Sequence, residues 1–68
     1  MAKAVAIFQL NVAMFPESSN AYDSLAEAQE AAGDKRAAIA NYHKSLSLND
    51  HNQHARARLQ ELEAANPQ

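Results

Sequence analysis

Three stretches of the chain carry apolar residues that recur three or four positions apart. This spacing places them along one face of an α-helix. The residues are Tyr22, Leu25, Ala28 and Ala32 in the first stretch, Ala38, Ile39, Tyr42 and Leu46 in the second, and Ala55, Leu59 and Leu62 in the third. Each pattern predicts an amphipathic helix with one buried face.

Residues that interrupt helices set the expected boundaries. Pro16 disfavours helical geometry in the residue before it, and Gly33 suits the left-handed end of a helix. Asp34 is a good N-cap for the helix that follows. With Ser18, Ser19 or Asn20 capping the second helix, and Asn49 and Asp50 separating the last two, we predict an all-α chain with antiparallel helices at residues 2–14, 20–32, 35–48 and 51–65.

The first predicted helix is apolar nearly all round, because only Lys3, Gln9 and Asn11 interrupt it. Such a helix needs burial on more than one side, which three further helices in a small chain do not readily supply. We therefore expect it to carry a self-association face, made of Val5, Phe8, Leu10 and Val12. It would pair with its copy, exchange between chains, or dock on a preceding domain.

Composition narrows the classes of partner and compartment. The 68 residues include 6 basic and 8 acidic side chains and no cysteine, with a net charge of -2. We expect no nucleic-acid partner, because the chain lacks the excess of basic residues that binding to a phosphate backbone requires. We expect no membrane span, since no uncharged apolar run approaches about 20 residues. The absence of cysteine excludes disulfides and fits a cytoplasmic protein, unless the chain is part of an exported one.

The sequence repeats itself at a shift of about 34 residues, which carries apolar positions onto apolar positions. Ala4 falls on Ala38 and Phe8 falls on Tyr42 under this shift. The chain resembles the tetratricopeptide-repeat (TPR) family, whose helix-turn-helix unit has this period. The signature positions are Tyr22, Leu25, Ala26, Gly33, Ala38 and Tyr42, whereas Gln29 and Asp50 depart from the family pattern and Pro16 keeps it.

The resemblance implies a TPR-type α-solenoid fragment made of half a repeat, one full repeat at about residues 19–52, and another half repeat. It implies protein–protein interaction or self-assembly as the function, with a protein, a peptide or a second copy as partner. The chain is also similar to the TPR tails of bacterial serine hydrolases and β-lactamase-like proteins. Two alternatives are therefore a structural C-terminal appendage of a larger enzyme and an engineered scaffold without a natural ligand.

The first helix of a TPR unit usually lines a groove that holds a peptide. By resemblance, the groove positions are Asn20, Asp23, Glu27, Glu30, His54 and Arg58. The helical spacing of the three carboxylates puts them on one face, where they either select a basic segment or remain a solvated face. In the family's carboxylate clamp, the corresponding positions are Ser24, His54 and Arg58, of which only Arg58 matches. With Asp23 and Glu27 nearby, we expect an acidic tail to be repelled.

We find no pattern that indicates catalysis or a cofactor. The chain has neither a Gly-x-Ser-x-Gly nor a Ser-x-x-Lys motif, and its serines, histidines and carboxylates show no spacing typical of a catalytic group. His51 and His54 are three residues apart, but a zinc site needs three or four ligands. We expect neither enzymatic activity nor a bound metal.

Overall fold

In the computed structural model, the described residues are 2–65, and they hold four α-helices and no strand. The helices are α1 (Ala2–Met14), α2 (Ser19–Ala31), α3 (Lys35–Leu48) and α4 (Gln53–Ala65). The all-α prediction is confirmed, and each helix packs against the next as in helical hairpins. None of the helices in this range is long and apolar enough to cross a lipid bilayer.

Side-chain caps explain where the helices begin. Ser18 Oγ accepts a hydrogen bond from the Ala21 amide at 3.1 Å, so α2 begins one residue earlier than predicted. Asp34 Oδ1 accepts from the Ala37 amide at 3.3 Å, as the sequence indicates. The predicted start of α4 at residue 51 is two residues early. Its first-turn amide at Ala55 is capped by Asn52 Oδ1 at 3.2 Å, a residue that the sequence interpretation overlooked.

Gly33 ends α2 because it adopts a backbone conformation that other residues rarely take. Its φ angle is +89°, and Ala32 is the C-cap. The Gly33 amide donates to the Glu30 carbonyl at 3.0 Å, and the Asp34 amide donates to the Gln29 carbonyl at 2.9 Å. These two bonds form a Schellman motif, which satisfies the last carbonyls of the helix.

The turn that leads into α2 and the turn that leads into α4 contain the same hydrogen bonds, at positions related by the sequence repeat that places Ser18 on Asn52. The Ser18 amide donates to the Phe15 carbonyl at 3.1 Å, and the Asn52 amide donates to the Asn49 carbonyl at 3.2 Å. The cap bonds of Ser18 and Asn52 repeat likewise. The sequence period is therefore also a period of the backbone turns and of the residues that cap the helices.

The core lies between α2, α3 and α4. Its buried members are Ala26, Ala38, Tyr42, Ala55, Leu59 and Leu62, with Ile39 and Leu46 partly buried against them. The alanines keep the helix axes close, and the larger side chains fill the space between them. Gln29, a departure from the family pattern, is also buried, and its Oε1 accepts a 2.7 Å hydrogen bond from Asn41 Nδ2. Ala32, predicted in the buried stripe, is exposed because α2 has ended there.

The structure divides the predicted self-association face of α1 into two sides. Val5, Phe8 and Val12 are partly buried and share one face of the helix. Since α2 is the helix packed against α1, this is the face that α2 covers. Leu10 lies on another side and is exposed. The prediction selected bulky residues without knowing which side α2 would occupy.

Candidate functional site

Side chains from α2 and α4 meet across a groove on one side of the core. They enclose an open pocket of about 300 Å³. Its lining is Glu27, Glu30, Ala31, Tyr42, His54 and Arg58. Four of the six residues predicted for the groove therefore line one pocket.

Glu30 is the most strongly bound carboxylate of this pocket. Its Oε1 accepts hydrogen bonds from Arg58 Nε at 3.2 Å and from Tyr42 Oη at 3.1 Å, and its Oε2 pairs with Arg58 Nη2. The hydrogen bond from Arg58 holds the pKa of Glu30 below its usual range, against the opposing effect of partial burial. Glu30 thus links α2 to both α3 and α4.

Tyr42 forms the inner wall of the pocket and is fully buried. Burial raises the pKa of its hydroxyl, and the hydrogen bond that it donates to Glu30 raises the pKa further. The Tyr42 and His54 rings meet edge to face, with centroids 6.0 Å apart and an interplanar angle of 69°. The hydroxyl therefore stays protonated, and in this structure it positions Glu30.

At the other end of the groove, Asp23 holds the start of α4. Its Oδ1 lies 2.8 Å from His54 Nδ1, and its Oδ2 accepts from Asn52 Nδ2 at 3.2 Å. Only 16% of the Asp23 side chain is exposed. Asp23 therefore serves the junction between α2 and α4, even though the sequence placed it in the peptide groove.

Glu27 is the carboxylate that remains open to solvent in the middle of the groove. Its side chain is 69% exposed, and its Oε2 lies 3.9 Å from His54 Nε2. Asp23 and Glu27 lie beside His54. Glu30 pairs with Arg58, whose guanidinium also pairs with Glu61. The groove therefore keeps an acidic character, with Glu27 as its most accessible charge.

A polar cluster below the groove is a feature that the sequence interpretation missed. Ser45 is fully buried on the core face of α3, and its Oγ donates to the Ser19 carbonyl at 2.8 Å. Ser19 Oγ donates in turn to the Ser45 carbonyl at 3.0 Å. Asn52 Nδ2 donates to Ser45 Oγ at 2.9 Å. The available signal was the position of Ser45, three residues after Tyr42 on the buried stripe.

The remaining predicted residues lie outside the pocket. Asn20 is exposed one turn before Asp23, and Ser24, a clamp position, is half-buried. His51 precedes α4 and lies 3.6 Å from Asp50, whereas His54 is turned toward Asp23. Within residues 2–65, no group of three or more histidines and carboxylates is placed to hold a metal ion.

The bond between Arg58 and Glu30 predicts a pH-dependent contribution to stability. Because the folded-state pKa of Glu30 is lowered, this contribution is fully present above the unfolded-state value of about 4.3 and is lost as the pH falls through the folded value. Arg58→Gln should therefore lower the free energy of unfolding most at neutral pH. The difference from the unmodified chain should narrow at acidic pH.

Urea unfolding at several pH values between about 3 and 7 measures this difference. Arg56→Gln is the matched control, because Arg56 is exposed and its guanidinium donates to the Asp50 carbonyl rather than to a carboxylate. A loss for Arg58→Gln that stays constant across the pH range would contradict the assigned role of Glu30.

A comparison with protein-family models, with curated proteins and with solved structures finds no match. The resemblance to the TPR family therefore rests on the residues, period and turns of this chain.

Proposed function

We propose that the chain is a non-catalytic protein-interaction module of the TPR type. The recurrence of the capped turn of Ser18 at Asn52, one repeat length along the chain, supports the repeat assignment. In this arrangement, α2 and α4 are the first helices of consecutive units. Their facing side chains form the groove in which such units hold a segment of a partner protein.

The observation that carries the function is the exposed carboxylate of Glu27 within the pocket between α2 and α4. Glu30 and Asp23 are held by hydrogen bonds from their neighbours, whereas Glu27 presents its charge to the solvent. A ligand that brings a positive charge gains an ion pair there, and one that brings a carboxylate is repelled. The partner segment is therefore a basic or polar peptide.

Titration with labelled peptides tests this assignment. Peptides rich in lysine and arginine should bind in a salt-sensitive manner, and acidic peptides of equal length should not. Glu27→Gln should weaken binding of the basic peptide by up to about fivefold, which corresponds to the upper end, about 1 kcal/mol, of the range for an exposed ion pair. Glu27 is preferable to Asp23 for this test. Asp23 also holds His54 in α4 and Asn52 in the turn before α4, so its replacement would disturb the fold.

Asp50→Asn is the control for this experiment. It removes the same charge from an exposed residue outside the pocket lining. Equal weakening by both variants would indicate only a general charge effect. Failure of every peptide to bind a correctly folded chain would favour the scaffold alternative.

A further inference from the structure

An exposed apolar row runs along α1 on a side that α2 does not cover. Ile7, Leu10 and Met14 are 65%, 63% and 63% exposed, and their spacings of three and four place them on one face. With Phe8 and Asn11 they line a shallow apolar depression of about 260 Å³. This lining carries no charged side chain, and apolar patches of this kind mark interaction surfaces.

Charges of opposite sign lie at the two ends of this row. Lys3 is exposed one turn before Ile7, on the same face of the helix. Glu17 is exposed in the turn that follows α1. No other charged residue lies between these two positions. Along the chain, a positive charge therefore precedes the apolar row and a negative charge follows it.

Such a surface is complementary to itself when two copies meet antiparallel. A two-fold axis near Leu10, midway between residues 3 and 17, brings Lys3 of each copy toward Glu17 of the other. The opposed helix dipoles favour the same orientation. A parallel arrangement would instead bring like charges together at both ends, which is unfavourable.

We infer that the occupant of the apolar row of α1 is a second copy of this chain, packed antiparallel about a two-fold axis near Leu10. This inference rests on the proposed function as an interaction module and adds a partner at a second surface, on α1, away from the Glu27 pocket. The apolar side chains supply the association. The end charges add little affinity, because exposed ion pairs are weak. Their role is to select the antiparallel orientation over the parallel one.

Light scattering and sedimentation across a concentration series test the inference. The unmodified chain should form a dimer, and Leu10→Glu should raise its dissociation constant at least about tenfold, as should Ile7→Glu. Gln9→Glu is the control, because Gln9 is exposed on α1 but lies off the row. Circular dichroism checks that each variant keeps its helices. We expect that it does, because Ile7 and Leu10 are both exposed.

Charge reversal tests the orientation independently. Lys3→Glu and Glu17→Lys should each weaken the dimer severalfold, and the double variant should restore it, because the pairing between copies is re-formed with opposite signs. A chain that stays monomeric at high concentration would overturn the inference and leave the row to a preceding domain or another protein. A dimer insensitive to Leu10→Glu, or a double variant without rescue, would overturn it as well.

The peptide titration on the Leu10→Glu variant separates the two proposals. Peptide binding by this variant would leave the groove function standing even when the dimer has been excluded. A dimer without peptide binding would show the opposite.

Discussion

Replacing Leu59 by alanine is expected to lower the free energy of unfolding by about 2–5 kcal/mol, the range for large-to-small changes in a packed core. Leu59 is 5% exposed in α4, within the cluster that contains Ala38 and Tyr42. Its removal leaves a cavity between helices whose alanines cannot fill it. A single core in a chain of this size rarely supplies more than about 3–5 kcal/mol of net stability, so the variant should be near unfolding.

Urea unfolding followed by circular dichroism measures this loss, and Leu48→Ala provides the matched control. Leu48 is 36% exposed at the last position of α3, so truncation there removes less buried surface than truncation of Leu59, which is 5% exposed. Its loss should be at least about 1 kcal/mol smaller than that of Leu59→Ala. Equal losses would show that the cluster around Tyr42 is not the main core.

Asn52→Ala is expected to destabilise the chain by about 2–4 kcal/mol, because it removes two kinds of interaction at once. Loss of an N-cap alone costs about 0.5–2 kcal/mol, and the Asn52 side chain caps α4 through the Ala55 amide. Its Nδ2 also donates to the buried Ser45 Oγ and to Asp23, and loss of hydrogen bonds to partly buried groups adds about 1–3 kcal/mol.

The repeat itself supplies the control for this prediction. Ser18 occupies the equivalent position one repeat length earlier and caps α2 through the Ala21 amide. Ser18→Ala should therefore cost about 1 kcal/mol, the typical value for a cap. The difference in unfolding free energy between the two variants measures what the polar cluster beneath the groove contributes to stability. If both variants lose the same stability in thermal and urea unfolding, the cluster adds nothing beyond capping.

Local signals in the sequence were sufficient for the helices and most of their ends. Gly33 and Asp34 end α2 and start α3 as predicted, because a left-handed residue and an N-cap act within a few positions of the chain. The start of α4 was misplaced because Asp50 and Asn52 are both good caps. Only the backbone course of the turn decides which of them reaches the first-turn amides.

The candidate site was predicted in part. Helical spacing put Asp23, Glu27 and Glu30 on one face, and the structure places His54 and Arg58 opposite them. Spacing could not show that Asp23 would be held by α4 and Glu30 by both α3 and α4. Nor could it show that Glu27 remains exposed to solvent. That difference depends on distances between helices that are far apart in the chain.

The all-α class, the positions of the four helices and most of the buried stripes follow from the amino-acid sequence, because periodicity and caps are properties of neighbouring residues. The packing of the helices was needed to learn which sides of α1 are covered, which carboxylate of α2 is accessible, and that Ser45 meets Ser19 and Asn52 in the interior. The physical reason is that a helical pattern fixes the direction of each side chain around its own axis. The neighbour that each side chain meets depends on how the helices pack.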